Sequence, residues 1–144
     1  MEKMNTPHLL VIGGTGFIGH HFLRAAHQRG WQITSVSLNP PSRERFVGGV
    51  RYLHFDITDS HPVKKYLGED YDFVINLGGS IDHQFFQDGG RDLIDVHFTA
   101  LQNLLEVLPR EKLKRFVQIG SSDEYGNAKS PQKESIKEAP ISPY

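Results

Sequence analysis

Three glycines, Gly13, Gly16 and Gly19, follow directly on the apolar run Leu9 to Ile12 and lead into a helical pattern that starts at Phe17. Glycines at this spacing, between a strand and a helix, suit the pyrophosphate of a dinucleotide. Gly13 permits a turn that a side chain would resist. Gly16 lets the backbone approach a phosphate at the helix N-terminus, where N–H groups lack intrahelical partners. Gly19, one turn later, allows close packing of helix on strand. The competing reading is an ordinary glycine-rich turn; the flanks and the position near the N-terminus favour the nucleotide. About 20 positions beyond such a turn, an acid would bind the ribose 2′-hydroxyl of NAD. Here that place is held by Ser37, followed by Leu38 and Asn39, with Arg43 and Arg45 close behind. A missing acid and nearby arginines lean toward the 2′-phosphate of NADP, set against a plain solvated basic loop.

The elements that must position these residues alternate. Leu9–Ile12 reads as a strand buried on both faces. The following segment sets Phe17, Ile18, Phe22, Leu23 and Ala26 on one side of a helix closed by Gly30. Further strands are expected over 31–38, 50–55, 72–77 and 116–120, the last of them also buried. A short helix is expected over 62–67 with Pro62 at its first position. A long one runs from Arg91, with Leu93, Ile94, His97, Ala100, Leu101, Leu104, Leu105 and Leu108 at helical spacing, and stops at Pro109. The loop 81–90 is irregular and carries Asp82, His83, Phe85 and Phe86; the tail 121–144 is polar and proline-rich, with no regular pattern. This alternation predicts one α/β domain over residues 1–144, a doubly wound parallel sheet in the order 3-2-1-4-5 with helices on both faces. Ligands in such sheets lie beyond the carboxyl ends of the strands, which here are Gly13, Ser37, Asp56, Gly78 and Ser121.

Composition narrows the partners. The chain has 144 residues, 16 Lys and Arg against 17 Asp and Glu, and no cysteine. A formal charge of −1 gives no field that draws the chain to nucleic acid or an acidic membrane. Disulfides and thiolate chemistry are excluded. No apolar run approaches a membrane span or signal core, so a cytoplasmic protein is expected. The eight histidines lack ligand spacing and predict no metal site.

The glycine turn, Asp56-Ile57, Asn76-Leu77-Gly78-Gly79, Ser121 to Gly126 and the closing Pro140-Ile141-Ser142-Pro143-Tyr144 together resemble the extended short-chain dehydrogenase/reductase family. More narrowly, the chain is similar to the NAD-dependent epimerase/dehydratase group acting on nucleotide sugars. The resemblance implies a Rossmann-type fold and a site residue by residue. Gly13, Gly16 and Gly19 would hold the pyrophosphate, with Phe17 and Ile18 at the helix start. Asp56 and Ile57 would lie beside the adenine, and Gly78 and Gly79 at the nicotinamide ribose. Ser121 stands for the catalytic Ser or Thr, and Tyr144 for the Tyr of a Pro-x-Ser-x-Tyr-x-x-x-Lys run. Ser121-Ser122-Asp123 looks closer to the Thr-Ser-Glu set of GDP-mannose dehydratases, which implies Asp123 as an acid for dehydration. Glu124 reads as part of a solvated turn. His97 stands where the family has Asn, and Asn103 matches a later family position.

The lysine that would follow Tyr144 is not in the sequence, nor are the last strands and the substrate domain. The chain therefore reads as the N-terminal fragment of a longer enzyme, inactive by itself and homodimeric at full length. Implied for that enzyme is NAD(P)-dependent epimerisation, dehydration or reduction of a nucleotide sugar by hydride transfer. The rival reading is a non-catalytic dinucleotide-binding sensor or scaffold of the same fold.

Overall fold

The computed structural model describes residues 6–144; the polar lead, residues 1–5, lies outside them. Five strands, β1 (His8–Ile12), β2 (Gln32–Ser37), β3 (Val50–His54), β4 (Phe73–Asn76) and β5 (Arg115–Gln118), form one parallel sheet in the order β3-β2-β1-β4-β5. The order matches the expectation from the alternating pattern. β1 is central, with Leu10 opposite Thr34 of β2 on one side and Val74 of β4 on the other. All five of its residues are buried, as a strand covered on both faces requires.

Helix α1 (Phe17–Gln28) packs on one face through Leu23 and Ala26, over Leu9, Val11, Ile33 and Ile75. On the other face, α2 (Ser60–Tyr66) and α4 (Ala100–Val107) cover Leu10, Ile12, Val36 and Val74 with Val63, Leu104 and the adjoining Leu67 and Leu108. Burying each such side chain contributes about 1.5–3 kcal/mol, so the alternating faces of β1 bind both layers together.

Four expectations need correction. The buried face of α1 is Gly19, Leu23 and Ala26, whereas Phe17, Ile18 and Phe22 are exposed. Pro62 is the third helical residue of α2, behind Asp59, whose carboxylate caps the helix by accepting from the His61 N–H. Proline is tolerated there because the first N–H groups of a helix have no intrahelical acceptor. β5 is an edge strand with Arg115, Val117 and Gln118 exposed, not a buried one, because no strand pairs on its far side among the described residues. The long helix also departs from a single α-helix. α3 (Arg91–Ile94) and α4 are joined by a π-helical turn over Asp95–Thr99. Such wide turns often mark functional positions, and this one contains His97.

The N-terminal ends of the strands carry a polar network remote from the glycine turn. His8 is buried; its Nε2 lies 3.0 Å from the Thr34 hydroxyl and its Nδ1 3.2 Å from the Asp70 carbonyl oxygen. A carbonyl only accepts, so Nδ1 carries the proton and Nε2 accepts from Thr34. Burial lowers the His8 pKa below its usual 6.5. The unfolded chain therefore binds a proton that the folded chain refuses, and stability falls as pH drops below about 6.5. Thermal or urea unfolding is expected to show lower stability at pH 5.5 than at pH 7.5. The difference should shrink in His8→Gln; an unchanged difference would remove His8 as its source.

Candidate functional site

A cleft of about 310 Å³ opens at the carboxyl ends of β1, β2, β3 and β4. Its floor is the glycine turn. Gly13 adopts φ +78° and its N–H donates to the Val36 carbonyl at 2.7 Å, tying the turn to β2. A Cβ at Gly13 would lie 3.0 Å from the Leu77 carbonyl group at the end of β4. Gly16 caps α1 with no side-chain acceptor for the first helical N–H groups and is itself exposed in the cleft. A Cβ at Gly19 would overlap the Gly13 carbonyl oxygen and approach the Gly14 Cα to 2.6 Å. Gly19 thus seats the helix on the turn itself. The arrangement fits the pyrophosphate of a dinucleotide: bare backbone at Gly16, a helix N-terminus with no side-chain cap, and a turn packed too closely for side chains at Gly13 and Gly19. Phe17 and Ile18, expected near the cofactor, point outward and do not line the cleft.

One wall is built from Val36, Ser37, Leu38 and Asn39 with Phe55, Asp56, Ile57 and Thr58. The Ser37 hydroxyl accepts from the Thr15 N–H at 3.2 Å, which fixes the strand end against the glycine turn. Asp56 closes a short turn by accepting from the N–H and hydroxyl of Thr58, both at 2.8 Å. Asn103 on α4, buried beneath, donates to the carbonyls of Ile57 and Thr58 at 3.0 and 2.9 Å. Asn103 therefore holds this wall without entering the cleft. Arg43 is exposed and does not line the cleft. Arg45 is the arginine that reaches the turn, donating to the Thr15 carbonyl at 3.3 Å. Spacing alone could not separate two arginines on one loop.

The opposite end of the cleft is Gly78 and Gly79. Gly78 N–H donates to Asn76 Oδ1 at 3.0 Å. A Cβ on Gly79 would come within 2.7 Å of the His97 ring, so the glycine there is matched to the histidine on the π-helical turn. His97 Nε2 lies 3.1 Å from the Ser80 carbonyl oxygen and 3.3 Å from its N–H. Tyr144 packs edge-on against His97, ring centroids 5.4 Å apart, and against His83 at 4.3 Å. Tyr144 is half-buried. The tail reaches this place by folding back: the Ala139 N–H donates to the Glu124 carbonyl at 2.8 Å.

Ser121 begins a short 3₁₀ turn, Ser122–Tyr125. Its hydroxyl accepts from the Asp123 N–H at 3.2 Å, while Glu124 Oε1 accepts from the Ser121 N–H at 3.1 Å. Glu124 is thus one half of a capping box rather than a free surface carboxylate. Asp123 is not free either: its Oδ2 lies 3.2 Å from His83 Nδ1. Ser121, Asp123, His83 and Tyr144 form one continuous chain of contacts. His83 was legible only as a loop histidine; no spacing ties it to a serine 38 positions later.

Comparison with known proteins assigns the chain to a family. Residues 9–144 match the model of the NAD dependent epimerase/dehydratase family. A curated relative, the UDP-N-acetyl-alpha-D-glucosaminuronate decarboxylase of Bacillus cytotoxicus, is 24% identical over 126 residues, covering 85% of this chain and 39% of the relative. Among solved structures, Bordetella bronchiseptica WbmG in complex with NAD superposes with a TM-score of 0.83 at 17% identity, over 100% of this chain and 47% of that one. The UDP-glucose 4-epimerase of Thermotoga maritima, with UDP-glucose, gives 0.81 at 23% identity, over 95% and 46%. The chain spans less than half the length of these proteins.

Two substitutions test the cradle. Gly16→Asp is expected to abolish dinucleotide binding by clash and by charge repulsion from phosphate; unchanged affinity in calorimetry would remove the turn from the site. Gly19→Ala is expected to lower the melting temperature as well, because its Cβ overlaps backbone that has nowhere to move.

Proposed function

The chain belongs to the NAD dependent epimerase/dehydratase family, and from that membership we propose that the whole protein oxidises a sugar carbon of a nucleotide sugar, as the first step of an epimerisation, dehydration or reduction. The observation that carries this reading is the continuity of the cleft. It runs from the phosphate cradle at Gly16 to Gly79, and Tyr144 stands next to Gly79 through His97.

The turn at Gly13, Gly16 and Gly19 would hold the dinucleotide, which would supply a hydride acceptor for the sugar carbon. Tyr144 takes the proton of the sugar hydroxyl at that carbon, and Ser121 hydrogen-bonds the same oxygen as charge develops. Gly78 and Gly79 leave room for the ribose beside them. Residues 1–144, which span less than half the length of the relatives, are expected to bind the cofactor without turning over substrate.

Substrate chemistry follows the relatives, whose names give UDP-linked sugars. The dinucleotide is NAD or NADP: Ser37 ends β2 without a carboxylate to repel a 2′-phosphate, and Arg45 stands at the turn. The exposed groove on the outer face of α4, with Phe98, Leu101 and Leu105, is the surface on which two copies would pair as a homodimer. No helix among the described residues is long and apolar enough to cross a membrane.

The experiment is an assay of the full-length protein with NAD or NADP and a panel of UDP-, GDP- and dTDP-sugars, followed by product identification. Tyr144→Phe is expected to lower turnover by about 10²–10⁴-fold, the range for loss of a positioned acid or base, with cofactor affinity retained. Ser37→Asp is expected to weaken NADP binding more than NAD binding. Full turnover in Tyr144→Phe would remove Tyr144 from the chemistry.

A further inference from the structure

In the proposed oxidation Tyr144 and Ser121 have roles, whereas the histidine beside them has none. His83 sits on the loop after β4, between the cleft end at Gly79 and the 3₁₀ turn that begins at Ser122. Its Nδ1 is 3.2 Å from Asp123 Oδ2, and its ring lies 4.3 Å from the ring of Tyr144, tilted by 44°. A carboxylate only accepts hydrogen bonds, so it selects the tautomer with the proton on Nδ1. That leaves the Nε2 lone pair available, and Nε2 has no hydrogen-bond partner among the described residues. A carboxylate holding one imidazole nitrogen so that the other can take a proton is the arrangement by which a histidine becomes an oriented general base. Asp123 is itself fixed, since its N–H is held by the Ser121 hydroxyl. The loop on either side of His83 is held by two local turns, with Ser80 Oγ accepting from the Asp82 N–H and Asp82 Oδ1 accepting from the Gln84 N–H.

We propose that His83, oriented by Asp123, is a second proton-transfer residue of the site, acting on a carbon–hydrogen bond next to the keto group of a nucleotide-linked keto sugar. The inference rests on the proposed oxidation of a nucleotide sugar and deepens it. Once a sugar carbon is a ketone, the adjacent C–H is acidic enough for an imidazole to remove. Nε2 takes that proton, the C–H pair becomes the C=C of an enolate, and the negative charge on oxygen faces the Tyr144 hydroxyl. The imidazolium formed is balanced by Asp123. Return of the proton from Nε2 to the carbon restores the ketone; alternatively the enolate expels the hydroxyl of the next carbon, which takes the Nε2 proton and leaves as water, completing a dehydration. No further oxidant or reductant is consumed. Asp123 in this scheme is a positioning residue that acts through His83. The ionisable groups around His83 are Asp123 on the 3₁₀ turn, Tyr144 on the tail, His97 behind Tyr144, and Asp82 on its own loop.

The test has two arms. Long-range ¹H–¹⁵N spectra of the 144-residue chain are expected to show His83 with the proton on Nδ1, and Asp123→Asn to shift it toward Nε2; an Nε2–H form in the unsubstituted chain would overturn the assignment. In the second arm the full-length protein is given UDP-4-keto-6-deoxyglucose in D₂O with NAD present, so that no oxidation is needed. Deuterium should enter the carbon next to the ketone faster than in buffer, with at least a 100-fold loss in His83→Gln and at least a 10-fold loss in Asp123→Asn. Exchange no faster than in buffer, or unaltered by His83→Gln, would overturn the proposal. The oxidation reading fails separately, if no member of the sugar panel produces NADH or NADPH absorbance.

Discussion

Everything at the functional end of this molecule depends on one place where backbone meets backbone. Gly19 of α1 sits against the Gly13 carbonyl and the Gly14 Cα at a separation that admits no side chain. The same turn is bonded to β2 through Gly13 N–H and Val36, and to the end of that strand through Thr15 and Ser37. Helix, central strand and neighbouring strand therefore share one rigid junction. Because the helix begins only there, its unpartnered N–H groups open onto the cleft rather than onto solvent at large.

The sheet places the remaining walls by register. Val36 stands opposite Ile12, and Asn76 opposite Ile12 on the other side, so the loops after β1, β2 and β4 emerge at one level. Asn103 adds a clamp from the second layer. It is buried in α4 and satisfies two carbonyls of the loop after β3, which otherwise would rest on the Asp56 turn alone. The wall beside Asp56 is thus held by a residue whose own position is fixed by the Leu104 and Leu108 core. Packing on one face of the sheet thus fixes a cleft wall at the carboxyl ends of the strands.

At the other end, two histidines define what surrounds Tyr144. The π-helical turn at Asp95–Thr99 carries His97 against Gly79 and Ser80, and the loop after β4 carries His83 against Asp123. Both meet the tail where it folds back on the 3₁₀ turn. Capping by Ser121 and Glu124 holds that turn, and Asp123 is presented to His83 as part of it. The polar stretch from Ser121 onward therefore has a defined local structure, despite having no periodic apolar pattern.

The sequence by itself determined the five strands, their order and the glycine cradle, because these rest on local properties: apolar runs, glycine spacing and the alternation of strand and helix. It also marked the end of β2 at Ser37, while β3, β4 and β5 stop at His54, Asn76 and Gln118, shortly before the expected ends Asp56, Gly78 and Ser121, since a run's end is only roughly readable in one dimension. Only the tertiary structure decided which side of α1 is buried. Phe17, Ile18 and Phe22 are apolar, yet the contact surface is set by where Gly19 permits approach, and no periodicity contains that distance. The same holds for Arg45 over Arg43, which differ only in how the loop folds back to Thr15. It holds most of all for the meeting of His83 with Asp123 and of Tyr144 with His83 and His97. These pairs lie far apart in sequence and come together through a returning tail and a widened helical turn, neither of which leaves a repeating signal in the chain.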